Sequence, residues 1–576
     1  MTDSKAIDKR CQTFYARMPQ TPNEKNISVD SKLALLICET DLISFDIFDT
    51  LALRLLYRPE GVFRYIEEFS ERKGFSIARK AAAKEARRRA EAAGEEEITL
   101  DDIYQFIAPN YRHLKTLEME IEIANHVPNP KIFDAYELAR QQNKTIILTS
   151  DMYLPREIIE QILNNCGYKN YHTLFLSQED GLTKRSGSRF KDILSRFDIA
   201  PEKMLHIGDS VRADIKEPAE LGIQTFHITR LNRRMADLPV SQRLIRLLEK
   251  QNTGWSNLTT GCIAHQAASL EAKQEARSYF YRLGYQYTGP LLVAFTLWLK
   301  EQTQCKGIKK LYFQARDGLI MKKVYDALFD PPLAQPHYLY ASRAFFGKVK
   351  SGEQRATFLK YLDSLQFPNT PGEPVALVDV GRRGTMQCLL KETLSEEGRT
   401  PNIFGFYFDL RTKNADDMAG FITEFKPRHV KFLDFMDFLL IADHPLITGL
   451  SRDENGFTPQ HLPKTYEEER RIRAAREMHA GILDFTKTTK PLLTQYPLKP
   501  DRELFLEIGR TLMRFAKEDK AAFEDMRIAS GVKNEKYRPI VPMKSTWTNL
   551  TRHSKEFWFS RRKAMVRRRV TDLFQR

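Results

Sequence analysis

The chain has few cysteines and no paired ones. The six, at positions 11, 38, 166, 262, 305 and 388, are scattered through 576 residues without a Cys-x-x-Cys pair. That excludes a disulfide scaffold and a structural zinc site, and fits reduced thiols. Long apolar runs are also missing. The most apolar stretch, Gly289 to Leu299, falls well short of the roughly 20 residues that a membrane-spanning helix needs. Met1 to Pro22 is polar and charged, with no apolar leader core. The expected location is cytoplasmic, either soluble or peripheral to the inner membrane. Acidic residues are scarce at one end only. From Arg552 to Arg576 nine bases face only Glu556 and Asp572, nearly half of the net charge of +15. The basic balance therefore does not imply a nucleic-acid-binding body, and nucleic acid is not an expected partner.

With 42% hydrophobic and 11% aromatic residues the chain is globular, and its length calls for two or three domains. The stretch from Leu42 to Leu51 is a short apolar run that ends in Asp46, Asp49 and Thr50. This pattern predicts a buried parallel strand whose carboxylates sit at the crevice of an open α/β sheet. An Ala-, Glu- and Arg-rich helical region from Arg58 to about Gln142 follows, placed like a lid. The sheet resumes with Lys144 to Asp151, a strand ending in hydroxyls. Next come the strand Tyr171 to Ser177, the loop Asp180 to Gly187 with Lys184, and the strand Met204 to Ile207 ending in Gly208-Asp209. Asp214 lies five residues beyond Asp209.

Read as chemistry, the ordered set is a carboxylate, a hydroxyl, a lysine and a pair of acids. A carboxylate can attack phosphorus and form an acyl-phosphate, dividing hydrolysis into two easier steps. The charge on the phosphoryl group calls for cations and hydroxyl donors around it. Lys184 can be one cation, and Mg²⁺ held by Asp46 and Asp209 the other. Ser150 would donate to phosphoryl oxygens, and Asp214 would orient the metal's waters or Asp209.

These four motifs, each at a strand end, resemble the haloacid dehalogenase-like hydrolase superfamily, over about residues 33–230. The insert resembles members with a helical cap after the first motif. The resemblance implies that Asp46 is the nucleophile, Ser150 (or Thr149) the hydroxyl and Lys184 the lysine. It also implies Asp209, Asp214 and the Phe48 backbone carbonyl as metal groups. One departure stands out. Family phosphatases carry an acid/base aspartate two residues after the nucleophile, where this chain has Phe48. Either Asp49 or a water supplies the proton, or the domain is a slow or specialised phosphatase and Asp49 merely caps the turn.

A second α/β pattern begins near residue 276, after a polar, helical connector over 231–275. The strand from Lys310 breaks into Arg316-Asp317-Gly318, and His337 to Arg343 reads as a strand ending in Ser342-Arg343. Val375 to Val380 ends in Asp379 and a loop of Gly381, Arg382, Arg383, Gly384 and Thr385; Ile403 to Leu410 adds a strand. Glycine-bearing loops between strand and helix cradle phosphate. The arginines and Thr385 would add charge and a hydroxyl, and Asp379 can hold ribose hydroxyls or a metal. The order is similar to type I phosphoribosyltransferases; a nucleotide-sugar-binding Rossmann-like fold and plain solvated turns remain open. The fusion resembles dual-domain ribofuranosyltransferases of bacterial surface polysaccharide assembly. That implies transfer of 5-phosphoribose from phosphoribosyl diphosphate to a glycan acceptor, lipid-linked or free, followed by removal of the 5′-phosphate. The alternative is a stand-alone sugar-phosphate phosphatase with a glycan- or partner-binding second half. Residues 461–576 read as a helical, basic region whose aromatic-laced end suits an anionic membrane surface.

Overall fold

The computed structural model describes residues 29–234, 241–272, 277–412, 416–454, 456–514, 522–523, 527–530 and 536–539. It is an α/β protein with two five-stranded, all-parallel sheets, each covered by helices. The basic tail over 552–576 lies outside these residues.

The first sheet has the order β5-β4-β1-β6-β7. β1 (Leu42–Asp46) is buried along its whole length, which its apolar sequence requires of a central parallel strand. It pairs with β4 (Thr145–Ser150), so that Asp46 lies level with Thr149, and with β6 (Met204–Gly208). β5 (Thr173–Leu176) is shorter than the expected 171–177 strand. β7 (Gln224–His227) carries no apolar run to announce it. The chain leaves β1 through a tight turn in which Leu51 and Ala52 N–H groups both donate to the Ile47 carbonyl at 2.8 Å. It then enters a two-stranded antiparallel ribbon of β2 (Ala52–Arg54) and β3 (His126–Pro128). The helices between them, from Gly61–Phe69 to Leu114–Ala124, form the cap. The helix Pro130–Gln141 is not part of it, because Tyr136 packs on Phe45 of β1 with ring centroids 5.6 Å apart. The inserted lid is thus shorter than the 58–142 expected.

The second sheet runs β9-β8-β10-β11-β12, from β8 (Lys310–Gln314), β9 (Gln335–Leu339), β10 (Val375–Arg382), β11 (Ile403–Leu410) and β12 (Met418–Ile422). The chain departs from β8 toward β9 on one side and β10 on the other. Such a reversal opens a crevice at the carboxyl ends of the strands. β10 extends beyond Asp379 and still pairs Gly381 with Asp409 and Arg382 with Leu410. The strand expected over 337–343 ends at Leu339, and Ser342 instead caps the helix Arg343–Lys350.

The connector over 231–275 departs most from expectation. Within it the helix Gly254–Ala272 is core rather than a polar bridge, with Trp255, Leu258, Cys262 and Ile263 buried. It presses on the cap base so closely that a Cβ at Gly261 would lie 2.0 Å from the Leu55 carbonyl oxygen. The Tyr57 N–H donates to the Asn257 carbonyl at 3.1 Å, and the Gly254 N–H to Glu68 Oε2 at 2.9 Å. The helix Tyr466–Gln495, roughly 45 Å long at 1.5 Å per residue, completes the clamp. Beyond its carboxyl end Tyr496 accepts from the Tyr65 hydroxyl of the cap at 2.7 Å. Near its start Arg471 donates to the Ala442 and His444 carbonyls, both at 2.8 Å. Gly261→Ala is therefore expected to destabilise the whole chain by about 1–3 kcal/mol through overpacking. Chemical denaturation should show one shifted transition rather than a change confined to one half.

Candidate functional site

The carboxyl ends of β1, β4 and β6 bring Asp46, Ser150, Asp209 and, from the following turn, Asp214 together. Lys184 reaches them from the loop after β5. Its Nζ lies 2.5 Å from Asp46 Oδ1 and 2.7 Å from Asp214 Oδ1, with all three side chains buried. Asp151 fixes that loop by accepting from the Lys184 N–H at 3.0 Å and the Arg185 N–H at 3.2 Å. Thr149 faces Ser44 at 3.4 Å, beneath the site. Of the two candidate hydroxyls, Ser150 is the one that makes no hydrogen bond through its side chain among the described residues.

Asp214 is fully engaged by protein groups. Its Oδ1 meets Lys184 and, at 3.2 Å, His206 Nε2; its Oδ2 accepts from the Ser210 N–H at 2.8 Å. His206 in turn contacts Ser44 Oγ at 2.8 Å. Position 208 must be glycine for this, since a Cβ there would lie 2.4 Å from Asp214 Cγ. Asp214 thus orients Lys184 rather than offering a free ligand oxygen. Asp209 is paired through Oδ2 with Arg230, a residue the sequence pattern did not single out. Asp49 has a left-handed backbone, φ 61°; its N–H donates to the Ala52 carbonyl and its Oδ2 accepts from Arg54 Nη1 at 3.1 Å. It shapes the turn and also lies within electrostatic reach of Asp209 and Arg230.

The charges do not balance. Burial pushes the Asp46 carboxyl well above its usual range, with Asp214 and Asp209 adding to the push and Lys184 opposing it. Asp214 is held below the usual range because Lys184 and His206 outweigh its burial, and the Lys184 ammonium is correspondingly raised by Asp214 and Asp46. Asp46 Oδ2 is buried without a partner, and Asp46, Asp209 and Asp214 offer oxygens within 4.8 Å of one another. A hard divalent cation fits this donor set: all oxygens, excess negative charge, one orphaned carboxylate oxygen. The residues placed to hold it are Asp46 and Asp209.

A second cluster lies at the reversal point of the other sheet, with Asp317 after β8, Asp379 in β10 and Asp437 on the helix Val430–Leu439. Burial pushes Asp317 up to about 8, helped by Asp437, and Asp379 up to about 6 against hydrogen bonds from Val380 and Gly381. Arg316 lies beside Asp317 and Arg343 beside Asp379 and Asp437. Arg316, Asp317 and Arg343 make no side-chain hydrogen bond or ion pair among the described residues. The other predicted residues have different roles. Ser342 Oγ donates to the Ile447 carbonyl at 2.6 Å and accepts from the Phe345 N–H, so it caps a helix instead of closing over a ligand. Arg382 is committed to Asp437 at 3.1 Å. Gly381 and Gly384 have positive φ, and Cβ atoms there would strike Tyr407 and Met418 at 2.6 and 2.5 Å. Side-chain packing thus demands these glycines independently of any phosphate. Gly318 is likewise required by its approach to Phe313. Arg383 and Thr385 are exposed at the following helix start. Asp437 was missed because it sits mid-helix among apolar residues, with no loop motif around it.

Residues 40–222 match the family model for haloacid dehalogenase-like hydrolases, and the first α/β unit is a hydrolase domain of that kind. Among solved structures, the chain is similar to L-2-haloacid dehalogenase from Xanthobacter autotrophicus, at 12% identity and TM-score 0.26 over 35% of this chain and 85% of that one. It is similar to the HAD-hydrolase YfnB from Bacillus subtilis bound to magnesium, at 19% identity and TM-score 0.25 over 33% and 87%. It is also similar to CbbY from Rhodobacter sphaeroides in complex with xylulose-(1,5)bisphosphate, at 15% identity and TM-score 0.25 over 33% and 86%. No curated protein matches the chain. Among the described residues no helix is long and apolar enough to cross a membrane.

Because Asp46 crowds two other buried carboxylates, Asp46→Asn is expected to raise the melting temperature of the metal-free protein. Thermal unfolding in EDTA checks this; an unchanged or lowered midpoint contradicts the charge imbalance.

Proposed function

We propose that the first half is a Mg²⁺-dependent phosphomonoesterase working through an aspartyl-phosphate on Asp46. The observation that carries this reading is the buried carboxylate held through Oδ1 by Lys184, with Oδ2 unpartnered at the strand end. A carboxylate oxygen of Asp46 attacks phosphorus as the bond to the leaving oxygen breaks, and the leaving oxygen takes a proton from Asp49 or from water. Water then attacks the acyl-phosphate, releasing phosphate and restoring Asp46. Lys184 offsets charge on Asp46 and the phosphoryl group, and Ser150 donates to a phosphoryl oxygen. Mg²⁺, when bound by Asp46, Asp209 and the Phe48 carbonyl, would neutralise the remaining phosphoryl charge.

We further infer that the second half transfers 5-phosphoribose from phosphoribosyl diphosphate to a glycan hydroxyl, making the chain a bifunctional ribofuranosyltransferase of surface polysaccharide synthesis. The uncommitted Arg316 and Arg343 beside Asp317 and Asp379, at the crevice where parallel sheets bind ligands, support this reading. The arginines suit a diphosphate, and Asp379 suits ribose hydroxyls or a metal. The acceptor is a glycan, lipid-linked or free, and the basic tail would meet an anionic membrane. Joining the two activities raises the local concentration of the phosphatase around the phosphorylated product.

In the presence of Mg²⁺, phosphoribosyl diphosphate and a glycan acceptor, mass spectrometry should detect pentose addition. Asp46→Asn should instead accumulate pentose phosphate, and Asp379→Asn should lose transfer. Absence of both products from the wild-type reaction counts against transfer.

Diphosphate binding also has a predicted pH dependence. With their ionisation raised to about 6 and 8, Asp379 and Asp317 are neutral below those values and negative above them. Metal-free binding of inorganic pyrophosphate, measured by calorimetry, should therefore weaken between pH 6 and 8, and binding that is flat or strengthens removes these acids from the site.

A further inference from the structure

The cap meets the core along a seam formed by the loop over 94–99, between the helices Phe75–Ala93 and Leu100–Gln105. Glu96 Oε2 accepts from the Ser186 hydroxyl at 2.7 Å and from the Thr183 hydroxyl at 2.9 Å. Glu97 Oε2 accepts from the Ser177 hydroxyl at 2.7 Å. Just beyond the loop, the Leu100 N–H donates to the Tyr153 carbonyl at 2.9 Å. Thr183 and Ser186 flank Lys184, and Tyr153 lies two residues after Asp151, whose carboxylate accepts from the Lys184 N–H. One short segment of the cap is thus tied both to the lysine's loop and to the stretch that supports it.

The hydroxyls show which group organises the seam. Each has a single hydrogen to give. Those of Thr183 and Ser186 go to Glu96, and Ser188 Oγ lies 3.3 Å from the same carboxylate oxygen and 2.8 Å from Ser186 Oγ. A carboxylate accepts without donating, so Glu96 draws the hydroxyls on both sides of Lys184 toward one point. These hydrogen bonds, Ser186 first, hold the Glu96 carboxyl below its usual range. The residues from 181 to 187 belong to no helix or strand, so side-chain contacts such as these must fix their path.

The opposite edge of the cap is fastened differently. There the helix Gly254–Ala272 presses on the Leu55 backbone, and Tyr65 is bonded across to Tyr496. At the seam the bonds run between side chains, with Glu96 and Ser186 exposed to water that competes for them.

Resting on the phosphatase reading above, we propose that Glu96 is a positioning residue for Lys184, holding the lysine's loop in place through the hydroxyls of Thr183 and Ser186. Lys184 is then set against Asp46 and Asp214 only while the free edge of the cap is seated. Glu96 acts through the loop alone and needs no contact with substrate.

The test uses the full chain with Mg²⁺ and p-nitrophenyl phosphate. Misplacing a catalytic group by about 1 Å costs about a hundredfold, so Glu96→Ala is expected to lower kcat/KM at least about tenfold. Glu96→Gln keeps an acceptor oxygen and should recover most of that loss. Ser186→Ala, across the seam, should also lower kcat/KM, and the double variant with Glu96→Ala should lose less than the product of the two single losses. In hydrogen exchange, amides 183–188 of Glu96→Ala should exchange at least about tenfold faster, with those of β1 and β6 unchanged.

Unchanged exchange over 183–188 overturns the role, as does a loss that Glu96→Gln fails to recover and that multiplies fully with Ser186→Ala. Should Glu96→Ala not fold by circular dichroism, Ser186→Ala and Thr183→Val decide, and full activity in both overturns it. An active wild type matched by Glu96→Ala leaves the phosphatase standing and removes only the role of Glu96. A wild type without hydrolysis removes both.

Discussion

One ammonium group shared by two buried carboxylates holds the first site together. Lys184 spans Asp46 and Asp214, and nearly every nearby feature serves that contact. Asp151 fixes the lysine's loop from below, His206 and the Ser210 N–H fix Asp214, and Gly208 leaves room for it. Removing the lysine from such a buried cluster typically costs about 3–5 kcal/mol, because both carboxylates are then left without compensation, whereas loss of the Asp46 charge still leaves Lys184 paired with Asp214. Here that cost is coupled to function, since the same lysine leaves Asp46 Oδ2 facing the crevice.

Much of this site was legible in the sequence because parallel strands impose a simple grammar. An apolar run ending in Asp, in Ser or in Gly-Asp puts those side chains at one edge, and the register of β1 with β4 and β6 does so here. The groups that tune the site were not legible. Arg230 reaches Asp209, His206 reaches Asp214 and Asp151 reaches the Lys184 loop only through strand pairing and turns that no local spacing encodes. Phe48 looked like a missing acid, yet in the fold it is a surface on which two polar side chains rest.

The second half shows the opposite balance. Four of its five strands follow from the sequence, but the edge strand Met418–Ile422 and the strand order do not, and its loop motif misled in detail. Gly381 and Gly384 answer to Tyr407 and Met418, Ser342 to a helix end, and Arg382 to Asp437. The charged groups left uncommitted, Arg316, Asp317 and Arg343, come from two separate stretches of chain. The helix Gly254–Ala272 misled in another way, because its Thr, Ser, Asn and Gln residues read as solvated although most are buried between the halves.

That burial has a consequence for how the chain is made. The hydroxyl of Tyr65 finds its partner 431 residues later, at Tyr496, and the indole N–H of Trp255 finds its own at Lys499, 244 residues on. A nascent chain that has just completed its first sheet therefore holds an unfinished cap whose outer apolar face stays uncovered until the helix Tyr466–Gln495 leaves the ribosome. Contacts of such separation are slow to form and expose sticky surface in the meantime. Synthesis of this protein accordingly passes through a long interval in which its most conventional part is also its most vulnerable to aggregation.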